Sequence, residues 1–115
     1  MDINSVEEFK KIADESDESL CLSDGVEIVY ANKCWLDSYK YTASDIEGRT
    51  FKILQGPQSD LGVIKKLMEA TELRQQFQGT LTNYSSEGIV VKDTVTIIPV
   101  LESHFVVKSS VVPIE

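Results

Sequence analysis

Glu47-Gly48-Arg49-Thr50-Phe51-Lys52-Ile53-Leu54-Gln55-Gly56-Pro57-Gln58-Ser59-Asp60 is the stretch on which the fold turns. Gly48 separates two brief helical turns, Ser44–Glu47 and Arg49–Gln55, because glycine reaches the left-handed backbone that ends a helix at little steric cost. Gly56-Pro57 stops the second turn, since proline brings no N–H and cannot continue it. Asp60 then offers a capping carboxylate to the longest helix, where Leu61, Ile64, Leu67, Met68 and Leu73 form the apolar stripe.

Working outward, Val6, Phe9, Ile12 and Ala13 recur at helical spacing behind Ser5 and Glu8, a short amphipathic helix with its cap. Leu20–Ser23 and Val26–Ala31 flank Asp24-Gly25 and read as a hairpin. Asn32 caps a short helix carrying Trp35, Leu36 and Tyr39. Beyond the long helix come three β-rich stretches, Phe77–Tyr84, Ile89–Leu101 and His104–Pro113, joined by Ser85-Ser86-Glu87-Gly88 and Glu102-Ser103. The sum is an α+β domain: a five-stranded antiparallel sheet, short helices on one face and an N-terminal amphipathic helix. The expected division is 1–18, a helical cap, and 19–113, the sheet domain.

A chain of 115 residues buries one core and leaves no room for a second domain. Its net charge of −8 lacks the clustered Lys and Arg that phosphate contacts require, which argues against nucleic acid, and it does not favour an anionic membrane. Most of the excess lies between Asp2 and Asp24 and reads as a solvated edge. Cys21 and Cys34 have neither metal-ligand spacing nor a disulfide framework, so a reduced intracellular protein, cytoplasmic or nuclear, is expected. With one histidine a His-based metal site is not credible, and His104 reads as an exposed turn residue rather than a haem ligand. There is no nucleophile–base pair, P-loop, dinucleotide fingerprint or carboxylate dyad, and nothing points to an enzyme.

The element order and the opening stretch together resemble PAS domains of the light-oxygen-voltage (LOV) class. Gly48, Arg49, Leu54, Gln55, Gly56, Pro57 and Asp60 agree with the family's G-R-N-C-R-F-L-Q-G-P signature and the acidic helix start after it. Ile28–Asn32 resembles the second strand, Tyr39–Thr42 the turn after the first helix, and Leu81-Thr82-Asn83-Tyr84 with Gly88 the family hairpin. The likeness spans Leu20 to Val112, making 19–113 the LOV-like domain.

The resemblance implies a pocket for flavin mononucleotide (FMN) and a cysteine that forms a light-driven thiol adduct with its ring. Phe51 stands at the cysteine position, and a phenyl group has no nucleophile, so that photocycle is closed to this chain. Gln55 and Asn83 match residues that bond the ribityl chain and ring. Lys52 and Lys65 replace two phosphate-holding arginines, keeping charge but losing the bidentate fork. Thr50 replaces the asparagine before the cysteine, Asp93 replaces a ring-reading asparagine, and Ser109 falls near a signal-relaying glutamine. An ionised Asp93 could not supply the donor that an amide does.

Each of these residues has a plainer reading. Phe51 fills the core, Gln55 and Asn83 are satisfied structural polars, and Lys52 and Lys65 are solvated charges. Cys21, on the pocket face by alternation, reads as a small buried hydrophobe. The leading expectation is therefore a non-enzymatic signalling module without adduct chemistry and without a cofactor, docking a protein partner or a second copy through its sheet face and N-terminal helix. Of Val90, Val95, Ile97, Phe105, Val107 and Val111, half are expected over the pocket and the others on an exposed apolar face, covered by the helix of the same or a partner subunit. The alternative is a sensor holding FMN or another small molecule non-covalently.

Overall fold

A computed structural model describes residues 2–114. Its elements run α1 (Val6–Asp14), β1 (Ser19–Ser23), β2 (Ile28–Ala31), α2 (Lys33–Tyr39), α3 (Ala43–Ile46), a 3-10 turn (Phe51–Leu54), α4 (Leu61–Glu72), β3 (Phe77–Tyr84), β4 (Val90–Val100) and β5 (His104–Pro113). The strands form one antiparallel sheet in the order β2-β1-β5-β4-β3.

The caps follow the sequence. Ser5 Oγ accepts the Glu8 N–H at the start of α1, Asp60 Oδ1 accepts the Gly62 and Val63 N–H groups at the start of α4, and Thr42 with Asp45 closes a capping box on α3. The β1–β2 hairpin is looser than a two-residue turn. Asp24 Oδ1 accepts both the Val26 and Glu27 N–H groups, which spends those residues on the loop, leaves Val26 exposed and starts β2 only at Ile28.

Two apolar clusters lie on opposite faces of the sheet. One gathers Trp35, Tyr39, Ile46 and Leu54 from the helical side with Cys21, Val91, Val95, Ile97, Phe105 and Val107 from the strands. The other sets Phe9 and Ala13 of α1 against Leu20, Leu22, Val100 and Val106, so α1 covers its own sheet. Burying Phe9 alone contributes about 2–3 kcal/mol.

Register corrects the expectation of an exposed apolar sheet face. Val95 pairs with Gly79 and Ser109, and Ile97 pairs with Phe77 and Val107, all at odd positions on one side. Val95, Ile97, Phe105 and Val107 are consequently all inside, and Val111 packs against the same cluster. Away from α1 the outer face presents Thr80, Lys92, Thr94, Thr96, Lys108 and Ser110 instead, with Val112 at its end.

Asn32 ties the pieces together. Its Oδ1 accepts from Leu20 N–H (3.1 Å) and Trp35 N–H (3.0 Å), and its Nδ2 donates to Ala13 and Glu18 carbonyls (both 2.8 Å). One buried amide therefore joins the end of α1, the following loop, β1 and α2.

Candidate functional site

Between the inner face of the sheet and α4 lies a cavity of about 390 Å³, inside the range of small-molecule pockets, roughly 300–1,000 Å³. Its walls are mostly apolar: Ile64, Leu67 and Met68 from α4, Leu81 from β3, Val95 and Ile97 from β4, Phe105 and Val107 from β5, and Trp35 from α2. The polar contributions come from Thr50, Lys52 and Gln55 on and beside the 3-10 turn, and from Asn83, Asp93 and Ser109 on neighbouring strands.

Six of the seven residues picked out from sequence thus meet on one cavity: Thr50, Phe51, Lys52, Gln55, Asn83 and Asp93. Lys65 does not. It follows Ile64, which faces the cavity, and the helical step of about 100° turns Lys65 to solvent. Phe51 forms part of the wall, and the space remains with the ring in place. Neither cysteine lines the cavity; burial pushes the Cys21 thiol far above its ordinary range, and Cys34 bonds the Ser19 hydroxyl and the Asp17 carbonyl. His104 opens β5 beside Ser103 and is not on the cavity wall.

The strand end of the cavity carries a directed hydrogen-bond chain. Asn83 Nδ2 donates to the Tyr39 hydroxyl (2.9 Å), which donates to Asp93 Oδ2 (2.6 Å), and the Ser109 hydroxyl donates to the same oxygen (3.1 Å). Asp93 is buried, and its Oδ1 has no hydrogen-bond partner among the described residues. Burial raises the Asp93 carboxyl above the usual aspartate range, opposed by hydrogen bonds from the Tyr39 and Ser109 hydroxyls and the Ser110 backbone. Tyr39 is pushed far up as well, by burial first and then by the Asp93 charge. Sequence reading missed the role of Tyr39, which looked like one more residue of an apolar stripe.

α4 is held at its ends more than along its length. Arg74, just past its C-terminus, donates to the Val100, Leu101 and His104 carbonyls at 3.2–3.3 Å and lies 4.8 Å from the Phe105 ring centre. No residue of the helix itself is fully buried, and Leu61, Met68 and Leu73 are exposed although all belong to the stripe read from sequence. The stripe packs on a cavity rather than on a filled core.

The chain has the PAS fold seen in LOV domains. It superimposes on the LOV domain of a blue-light-activated histidine kinase from Erythrobacter litoralis with a TM-score of 0.81 and 21% identity, covering 87% of this chain and all of that one. In sequence it is 34% identical to rice (Oryza sativa subsp. japonica) phototropin-2 over 61 residues, 53% of this chain and 7% of that protein. Against blue-light-activated histidine kinase 1 of Erythrobacter litoralis (strain HTCC2594) it is 28% identical over 96 residues, 80% of this chain and 27% of that protein. The chain thus spans well under a third of the length of these curated relatives. No family model matches it. Among the described residues no helix is long and apolar enough to cross a membrane.

Proposed function

We propose that this chain is a LOV-type sensory module that holds a planar heteroaromatic ligand of the flavin class without covalent attachment, and that it performs no catalysis of its own. The observation that carries this reading is the cavity itself: a mostly apolar space of about 390 Å³ at the position implied by the resemblance, with polar groups from two separate parts of the fold. A chain that only docked a protein would have no need of that space, and empty volume weakens packing. The nature of its relatives, a phototropin and blue-light-activated kinases, supports the same choice.

The residues present fit such a group. The unpartnered Oδ1 of Asp93 marks unused hydrogen-bonding capacity beside the cavity, and the apolar walls suit a ring face. On this reading Asn83 and Asp93 meet the polar edge of the ring, Gln55 the ribityl chain, and Lys52 the phosphate. Lys65, being turned to solvent, is left out of the set. A bound flavin supplies blue-light absorption and redox chemistry. With Phe51 on the wall and no cysteine among the cavity residues, no thiol is in place to attack it.

The test is an absorption and fluorescence spectrum of the protein purified, then mixed with FMN and freed of unbound flavin. A structured blue-region band that stays with the protein is expected. A protein that remains colourless after reconstitution contradicts the reading and returns the docking function to first place.

A further inference from the structure

At Asp93 an ionisable carboxyl stands where the resemblance implies an amide, and the structure leaves one of its oxygens unused. Both hydroxyl donors, Tyr39 and Ser109, are directed at Oδ2, and the Ser110 backbone N–H near the carboxyl does not satisfy Oδ1. The Tyr39 hydroxyl cannot turn its proton elsewhere without cost, because its lone pair already accepts from Asn83 Nδ2. The Ser109 hydroxyl adds a second bond to the same oxygen. Oδ2 thus behaves as the carbonyl oxygen of a carboxylic acid, while Oδ1 is buried and bonded to no described group.

A carboxylate in that setting would keep its charge with one oxygen bare in a nearly apolar space, an arrangement that desolvation penalises. Among the described residues no cation faces it: Tyr39 on α2 is the titratable neighbour, Asn83 on β3 and Ser109 and the Ser110 backbone on β5 are neutral, and Lys52 on the 3-10 turn is an exposed residue elsewhere on the cavity wall. The raised pKa of the group agrees with this geometry.

We infer that Asp93 recognises its ligand as a neutral acid, with the proton on Oδ1 donated to a carbonyl oxygen on the edge of a planar heteroaromatic ring. This rests on the ligand reading above and deepens it. A neutral acid donates in the same sense as an amide N–H, so the change from amide to carboxyl keeps the bond and adds a pH dependence that an amide lacks. Below the folded-state pKa of Asp93 the donor is present; above it the site presents an unpaired charge to the ligand's lone pairs, and binding fails.

The experiment has two independent readings. FMN dissociation constants are measured by fluorescence for the unaltered protein and for Asp93→Asn across roughly pH 5–8, and their ratio is taken so that titration of the FMN phosphate cancels. In parallel, carbon-13 NMR follows the Asp93 carboxyl in the ligand-free protein, assigned by its loss in Asp93→Asn. The expected result is an Asp93 midpoint above the ordinary aspartate range of about 3.9 and a dissociation-constant ratio that rises about tenfold per pH unit beyond that midpoint. An ordinary midpoint, or a ratio flat across the range while FMN is bound, overturns the inference and leaves the flavin reading standing. A raised midpoint with no FMN bound by either protein sinks the flavin reading, and the ligand clause of the inference with it.

Discussion

The Tyr39 hydroxyl lies 2.6 Å from Asp93 Oδ2, joining a short helix to a central strand 54 residues further along the chain. The contact sets a buried phenol behind a buried carboxyl on the cavity wall, and the Asn83 and Ser109 side chains join the same hydrogen-bond chain. Fold and ligand chemistry meet at this pair.

Removing the hydroxyl tests the pair. Tyr39→Phe keeps the ring in the core, takes one donor from Asp93 and leaves the Asn83 amide without its acceptor. A loss of about 1–3 kcal/mol in urea unfolding is expected. Because the Tyr39 bond lowers the Asp93 pKa, the Asp93 midpoint should rise further in this variant. An unchanged or lower midpoint would show that the hydroxyl does not act on the carboxyl.

The same carboxyl shapes stability against pH. Its folded pKa is raised, so its contribution is whole below the unfolded value of about 3.9 and is lost as pH rises through the folded pKa. Asp24, held low by its backbone hydrogen bonds to Glu27 and Val26, works in the opposite sense, its contribution fading as pH falls through its folded value. Unfolding free energies for the unaltered protein minus those for Asp93→Asn should therefore fall with pH between these two Asp93 values, by at most about 1.4 kcal/mol per unit. A flat difference would mean that Asp93 ionises alike in both states.

Asn32 should be the polar residue on which the docking of α1 depends most. Asn32→Ala removes four hydrogen bonds and strands buried backbone groups of Leu20, Trp35 and Ala13. The expected cost is about 2–4 kcal/mol, with amide exchange in α1 accelerating before that of the sheet. Uniform acceleration across the chain would deny the residue that local role.

Gly56 is required by its neighbour rather than by its backbone angles. A Cβ there would stand 2.3 Å from Cε1 of Tyr84, whose hydroxyl accepts the Gln58 N–H at 2.8 Å. Gly56→Ala should cost about 1–3 kcal/mol by forcing the ring aside. The double change Gly56→Ala, Tyr84→Ala should recover the overpacking part, and a fully additive result would refute the explanation.

Much of this was legible from local chemistry. Capping residues such as Ser5, Asn32 and Asp60, the punctuation at Gly48 and Gly56-Pro57, and alternation along Val91–Ile97 carry their information within a few residues, and the elements formed where those signals stand. Cavity residues at Thr50, Phe51, Lys52, Gln55, Asn83 and Asp93 were reached through the family likeness, not through periodicity. What escaped depends on distance in sequence. Nothing near Tyr39 signals a partner on β4, and nothing near Val95 or Phe105 says that both face inward until the pairing of β4 with β5 is known. The same ignorance of register produced the expectation of an apolar outer face. Lys65 lies off the cavity wall for a smaller reason, one residue of helical phase.

The central claim, a flavin-class ligand held beside Phe51 without adduct formation, is tested most directly by Phe51→Cys. The variant is loaded with FMN, exposed to blue light and followed by absorption beside the unaltered protein. The account predicts that the blue-region band of Phe51→Cys bleaches on illumination and returns in the dark, while the unaltered protein shows no such cycle. A flavin-loaded Phe51→Cys whose spectrum shows no such bleaching and recovery would contradict it, because the ring would then not lie against position 51.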